Sequence, residues 1–212
     1  MSRAHVTHVN VARPRPKMVG NRVIETAIDK HAVDQPVDVD LDGFVSDQVG
    51  NPRVHGGNQR ALYAFAEEDY DWWARQLDRE LRPGQFGDNL TTRGIDVNAA
   101  LIGERWRIGS VVVAVSGPRI PCATFAAQMG ERGWPRRFGE QDRPGAYLRV
   151  LEPGTIGPGD AIAVLDRPDH DVTVSDSHRI FRRDRSEAAR MVGLPALVSD
   201  LAEWADQQVN GS

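Results

Sequence analysis

The chain has 212 residues, 40% hydrophobic and 26% charged, enough to bury its own core as one larger domain with at most a small appendage. Its 26 basic and 30 acidic residues leave a formal charge of -4, so the chain as a whole lacks the basic footprint of a non-specific nucleic-acid binder. A single cysteine excludes an internal disulfide and a multi-cysteine zinc or iron–sulfur cage, and no apolar run reaches the ~20 residues of a membrane span.

The absence of a disulfide framework, and an N-terminus (1–17) of scattered polar and basic residues without an apolar core, make the cytoplasm the expected compartment. Gly 20 and Pro 13, without periodicity, predict many turns and short strands. His5–Val11 alternates weakly and reads as a first strand. Val37, Val39 and Leu41 alternate with aspartates, the pattern of a half-buried edge strand. A further short strand is expected over 60–65. The period then changes: Tyr70, Trp73, Leu77 and Leu81 share a helical face, Glu67, Glu68 and Asp69 complement the dipole at its start, and Pro83-Gly84 stops it.

From residue 99 the texture is β. Trp106 and Ile108, then Val111, Val113 and Val115, flank Gly109-Ser110 as a hairpin flanks its turn. Strands are expected at 146–151 and 161–165, joined by a glycine- and proline-rich turn over 153–160. The segment 133–143, with Arg132 just before it, reads as a mobile polar loop able to act as an electropositive lid. After Arg167-Pro168 the pattern turns helical, over 186–192 and 196–209, with Leu197, Leu201, Trp204 and Ala205 as an apolar stripe that must pack on something. Short strands separated by tight turns predict a mainly β fold, a closed or nearly closed barrel (1–168), with a small C-terminal helical extension (169–212).

Three segments carry candidate chemistry. In Ser116-Gly117-Pro118-Arg119-Ile120-Pro121-Cys122, two prolines stiffen a loop that follows the strongest β segment and ends on the only thiol. An isolated cysteine is commonly a small buried apolar residue, and a thiolate is equally a soft ligand suited to molybdenum or copper(I). Arg53-Val54-His55-Gly56-Gly57-Asn58-Gln59-Arg60 is either a plain turn or a set of backbone amides facing an anion, with Arg53 and Arg60 adding charge and His55 a hydrogen bond, but not a phosphate-binding Walker loop. Phe86-Gly87-Asp88-Asn89-Leu90-Thr91-Thr92 either satisfies its own turn or presents polar groups to a ligand.

In order along the chain, Val54-His55-Gly56-Gly57 with Ala61-Leu62-Tyr63, the helix with Tyr70 and Trp73, Phe86 to Thr91, Ile102 to Gly109, Pro118 to Cys122, and Tyr147 to Leu151 resemble the MOSC family, named for the C-terminal domain of molybdenum-cofactor sulfurases. The resemblance covers about residues 40–168 and is strongest to short stand-alone bacterial members that reduce N-hydroxylated purines. It implies a MOSC-type β-barrel with peripheral helices, a molybdopterin-type molybdenum cofactor, Cys122 as the protein ligand to molybdenum, and His55, Asn89, Thr91 and Arg119 as lining or anchoring residues. It further implies a small N-hydroxylated substrate and an external electron-donor reductase, since no flavin or haem signature is visible; the alternative is a non-catalytic cofactor carrier or sulfur-transfer accessory. Two departures stand out: Asp88 occupies a position where the family commonly has Glu, and neither Lys17 nor Lys30 matches the family's lysine-containing N-terminal strand.

Overall fold

The computed structural model describes residues 3–47 and 58–211. An eight-stranded sheet runs in the order β13-β9-β10-β11-β7-β8-β1-β4. Its strands are β1 (His5–Val11), β4 (His31–Val33), β7 (Leu62–Ala66), β8 (Leu90–Arg93), β9 (Arg105–Ile108), β10 (Val111–Pro118), β11 (Ala146–Glu152) and β13 (Ile162–Asp166). All neighbours are antiparallel except β7 and β8, which run parallel with Ala64 opposite Leu90 and Ala66 opposite Thr92. β5 (Val37–Asp40), β6 (Gly43–Phe44) and β12 (Gly154–Ile156) form a small three-stranded sheet, and β2 (Arg15–Val19) and β3 (Arg22–Thr26) form a separate two-stranded ribbon.

The expected hairpin is present: Ile108 faces Val111 across Gly109-Ser110, and Gly109 has a φ of 57°. A side chain there would also meet Asp160 Oδ2 at 2.4 Å and the Thr155 carbonyl oxygen at 2.6 Å, so only glycine fits. The closed barrel is not found. β1 and β13 meet at one bridge, His5 to Ala161, supported by Val6 N–H donating to the Asp160 carbonyl at 2.9 Å and Ile162 N–H to that of Ala4 at 2.9 Å. No ladder extends from this bridge, because Val9, Asn10 and Val11 pair instead with β4.

Five α-helices lie outside the sheet among the described residues: α1 (Glu67–Leu77), α2 (Ala123–Met129), α3 (Trp134–Gly139), α4 (Val174–Arg182) and α5 (Ser199–Asn210). α1 buries Tyr70 and Trp73 as its period requires, yet it ends at Asp78, which adopts a left-handed φ of 48°, before the proline expected to stop it. The segment 133–143 is not a loop: α3 occupies it and inserts the fully buried Trp134 and Phe138. These two rings join Trp73, Phe86, Phe125, Tyr70 and Met129 in a second, aromatic core, where Trp73 lies 4.8 Å from Trp134 and stacks on Phe138 at 5.7 Å. Ring pairs of this geometry add about 0.5–1.5 kcal/mol each beyond their buried area.

The C-terminal segment docks through the main apolar core. Val174, Ile180, Met191, Leu197, Val198, Leu201 and Ala205 belong to one cluster with Trp106, Ile108, Val113 and Val115 of the sheet. α4 starts in a full capping box between Thr173 and Asp176, a signal missed in the sequence, and a 3₁₀ turn over Arg185–Met191 replaces the helix expected over 186–192. At the foot of α5, Val198 N–H donates to the Ser116 carbonyl at 2.9 Å, Ser199 Oγ donates to Gln59 Oε1 at 2.6 Å, and Asp200 pairs with Arg60 at 2.5 Å. Among the described residues, no helix is long and apolar enough to cross a membrane.

Candidate functional site

β10 delivers the chain into Pro118-Arg119-Ile120-Pro121, and Cys122 then takes the N-cap position of α2. Phe125 and Met129 anchor α2 in the aromatic core, so the thiol sits on a firmly packed base. Cys122 itself is half-buried and lines a cavity of 440 Å³. Ile24 to Ile28, from β3 and the turn after it, form one wall; Arg119, Ile120, Cys122 and Thr124 form another; Gly87 and Asn89, Tyr63 and Tyr147, and Arg60 with Lys30 and Asp47 complete it.

Arg119 dominates the electrostatics. It is only 7% exposed, its Nε has no hydrogen-bond partner, and among the described residues no carboxylate pairs with it. Its guanidinium lies 4.4 Å from the Phe125 ring centroid and 5.1 Å from that of Tyr63, held by ring faces rather than by a counter-charge. A buried charge without a partner is destabilising by several kcal/mol in general, so an anion entering this cavity would meet an unmatched cation. Gly87, at φ 81°, lets the backbone approach: a side chain there would come 3.4 Å from Arg119 Nη1 and 3.1 Å from Ile28.

The other cations are matched. Lys30 Nζ is hydrogen-bonded to Asp47 Oδ2, both nearly buried, and Arg60 is paired with Asp200. Asn89 holds Asp47 by donating from Nδ2 at 2.8 Å, while its own Oδ1 accepts from Tyr63 N–H at 3.2 Å. Burial pushes the Tyr63 phenol well above its ordinary pKa, so it stays neutral and donates to the Pro144 carbonyl at 2.7 Å.

The structure therefore brings Cys122, Arg119 and Asn89 to one cavity. Thr91 is not among the lining residues: its hydroxyl is fully buried, donates to Asp88 Oδ2 at 2.7 Å and accepts from Asn10 Nδ2 at 3.0 Å. Asp88 is equally buried and also accepts from Tyr70 Oη at 2.5 Å and Gly84 N–H at 3.3 Å. Burial raises its pKa, partly offset by these donors, with Tyr70 the largest. The short carboxylate thus braces the loop beneath the cavity from inside. His55, with Arg53 and the Gly56-Gly57 turn, lies outside the described residues.

The arginines expected in a lid point elsewhere. Arg136 pairs with Glu140, Arg137 donates to the Gln76 carbonyl at 2.5 Å, and Arg143 pairs with buried Asp69. Arg143 and Asp69 belong to a second cavity, 520 Å³, with Glu68, Asp96, Asn98 and Asp142. Its acids are engaged internally: Asp69 accepts from Asn98 Nδ2 at 2.6 Å, Glu68 from Gly94 N–H at 2.9 Å, and Asp96 from Asn98 N–H at 3.0 Å. Of the cavity residues, Arg60 was expected to add charge to an anion site, while sequence reasoning did not single out Asp47, Tyr63 or Tyr147 and left Lys30 unassigned; their convergence depends on long-range pairing that no local spacing encodes.

The MOSC domain family model matches residues 51–163. The uncharacterized protein YflK of Bacillus subtilis (strain 168) is 30% identical over 200 residues, covering 94% of this chain and 89% of that one. A protein of Gibberella moniliformis (strain M3125 / FGSC 7600) named "Reductase" is 31% identical over 166 residues; the match spans 75% of this chain but only 29% of that protein. The crystal structure of YiiM from Geobacillus stearothermophilus superimposes with a TM-score of 0.81 at 26% identity, covering 97% of this chain and 99% of that one.

Proposed function

The chain belongs to the MOSC domain family, and from that membership we propose that it is a molybdenum-cofactor-dependent oxidoreductase that reduces N-hydroxylated bases or related compounds. The observation that carries this reading is the meeting, in one cavity, of the only thiol with a buried guanidinium that no carboxylate among the described residues neutralises. The fit to the cofactor is chemical. Among the described residues no group of three or more His, Cys, Asp or Glu could hold a metal ion, so a metal here must arrive with most of its ligands supplied by an organic group. A molybdopterin does so and leaves a place for one soft protein ligand, Cys122 Sγ. Its phosphate and anionic sulfurs suit the unpaired charge of Arg119.

When bound, the cofactor supplies the two-electron removal of oxygen, in which an N–OH group, two electrons and two protons give N–H and water. The chain's residues bind, orient and provide protons. Tyr63 and Tyr147, with ring centroids 5.2 Å apart, offer an aromatic wall against which a flat base can rest. Lys30 Nζ, held by Asp47, is a cavity ammonium able to protonate the departing oxygen, and Asn89 fixes that pair in place. The protein relative named "Reductase" supports this class of activity. In this reading electrons come from a separate reductase.

The test is metal and pterin analysis of wild type beside Cys122→Ser, both purified from cells that make molybdenum cofactor, followed by reductive N-dehydroxylation driven by reduced methyl viologen. The expected result is stoichiometric molybdenum and turnover in wild type, and loss of both in the variant. Stoichiometric cofactor without turnover would replace the reductase with a carrier, and equal molybdenum content in both proteins would remove Cys122 from the site.

A further inference from the structure

The ribbon of β2 and β3 has no sheet partner and packs against α2, the helix that begins at the thiol. Its register, with Arg15 opposite Thr26, Lys17 opposite Ile24 and Val19 opposite Arg22, places three cations on the same face as Ile24 and Thr26. Those two residues line the Cys122 cavity, as does Glu25 from the other face, so the ribbon borders the cavity while its cations lie outside the lining. The opposite face carries Met18 across from Val23, 60% and 62% exposed. Residues 13–26 hold Arg13, Arg15, Lys17 and Arg22 against Glu25 alone, on a chain whose formal charge is -4. Among the described residues none of these four cations forms an ion pair or a side-chain hydrogen bond.

A ribbon built for stability would pair its charges internally and cover its apolar pair. Unpaired like charges on one face and an exposed apolar pair on the other give this narrow ribbon the two elements a transient protein interface uses: charges steer the encounter and a small apolar contact orients it. A small substrate would have no use for Met18 and Val23 on the outer face. We infer that the β2–β3 ribbon is the docking surface for an acidic electron-carrier protein, which delivers electrons to the cavity it borders. The inference rests on the reductase reading for its purpose and on charge complementarity for its partner. Each turnover oxidises the carrier by two electrons in total, and these, with two protons, convert one N–OH to N–H and one water.

The probe is flavodoxin, an acidic single-flavin carrier, reduced with dithionite. Binding of flavodoxin to the cofactor-free protein is measured by calorimetry at low and high salt, for wild type, Arg15→Glu/Arg22→Glu and Met18→Ser/Val23→Ser. Turnover of the cofactor-loaded proteins is then driven either by reduced flavodoxin or by reduced methyl viologen, which needs no docking site. Wild type is expected to bind flavodoxin at low salt and lose affinity as salt rises. The charge-reversal pair should lose about tenfold or more in both binding and flavodoxin-driven rate, with no fall in the viologen-driven rate. The apolar pair should weaken binding without changing its salt dependence. Failure of wild type to bind flavodoxin, unchanged binding in both variants, or an equal fall of the viologen-driven rate overturns the docking surface. So does a homodimer that Met18→Ser/Val23→Ser dissociates, since the apolar face would then belong to a second copy. Absent viologen-driven turnover in loaded wild type defeats the reductase reading, while the binding measurement still decides the surface.

Discussion

Replacing Tyr70 with phenylalanine tests the idea that a buried polar brace holds the floor of the cavity. The Tyr70 hydroxyl donates to Asp88 Oδ1 at 2.5 Å and accepts from Phe86 N–H at 2.9 Å, in surroundings closed to water. Losing a hydrogen bond to a charged group costs about 1.5–3 kcal/mol, and orphaning the buried N–H adds about 1–3 kcal/mol, so a loss of about 3 kcal/mol is a conservative expectation. For a chain of this size that lowers Tm by about 6–12 °C. The loss must also depend on pH. Burial holds the Asp88 carboxyl above its ordinary pKa, so the folded state keeps this proton to higher pH than the unfolded chain. The folded state therefore binds more protons in that window, and the Asp88 contribution to stability declines as pH rises through its folded pKa. Removing the Tyr70 donor raises that pKa further. The penalty is largest at neutral pH and shrinks as acid protonates Asp88. Urea unfolding of both proteins at neutral pH and at the lowest pH where both remain folded measures it. A difference below about 1 kcal/mol, or one equal at the two pH values, would refute the account of Asp88 as an ionised brace.

Three further outcomes follow from the same geometry. Arg119→Met should leave the cofactor-free protein as stable as wild type, or more stable by about 1–2 kcal/mol, because the guanidinium lacks a carboxylate partner, while molybdenum and pterin content falls; calorimetry and metal analysis check the two halves separately. His178 is fully buried, its Nδ1 is 3.5 Å from Asp142 Oδ1, and among the described residues neither ring nitrogen has a hydrogen-bond partner. Burial lowers its pKa, so the unfolded chain takes up a proton first as pH drops below the ordinary imidazole value, and stability is lost there. His178→Leu should flatten the stability profile between about pH 7 and pH 5.5, read from urea midpoints. Asn89→Ala should loosen Asp47 and Tyr63 together, lowering stability by about 2 kcal/mol in urea unfolding.

Local chemistry made parts of this structure readable in advance. The β9–β10 hairpin announced itself because β-branched residues flank a two-residue glycine turn, and α1 because acids precede a 3.6-residue apolar period. α3 escaped because Pro135, Arg136, Arg137 and Gly139 have the composition of a loop; Trp134 and Phe138 make it helical by inserting into the aromatic core, a tertiary effect. β8 escaped because Thr91 and Thr92 are polar yet fully buried, satisfied in part by partners far along the chain such as Asn10. Arg119 and Cys122 were legible as a stiff loop ending in a thiol. The Lys30–Asp47 pair was not, since the two residues meet only when distant segments fold around the same hollow.

The foot of α5 ties Ser199 to Gln59 and Asp200 to Arg60, and its neighbour Val198 to Ser116 of β10. A tail that touches none of the reacting groups thereby tethers two stretches of the cavity's frame and occupies one of its guanidinium groups. Replacing Asp200 with alanine would free Arg60, which lines the Cys122 cavity, without cutting into the apolar core that Val198, Leu201 and Ala205 help to form. The charge balance of the cavity is thus set in part by a carboxylate 140 residues further along the chain.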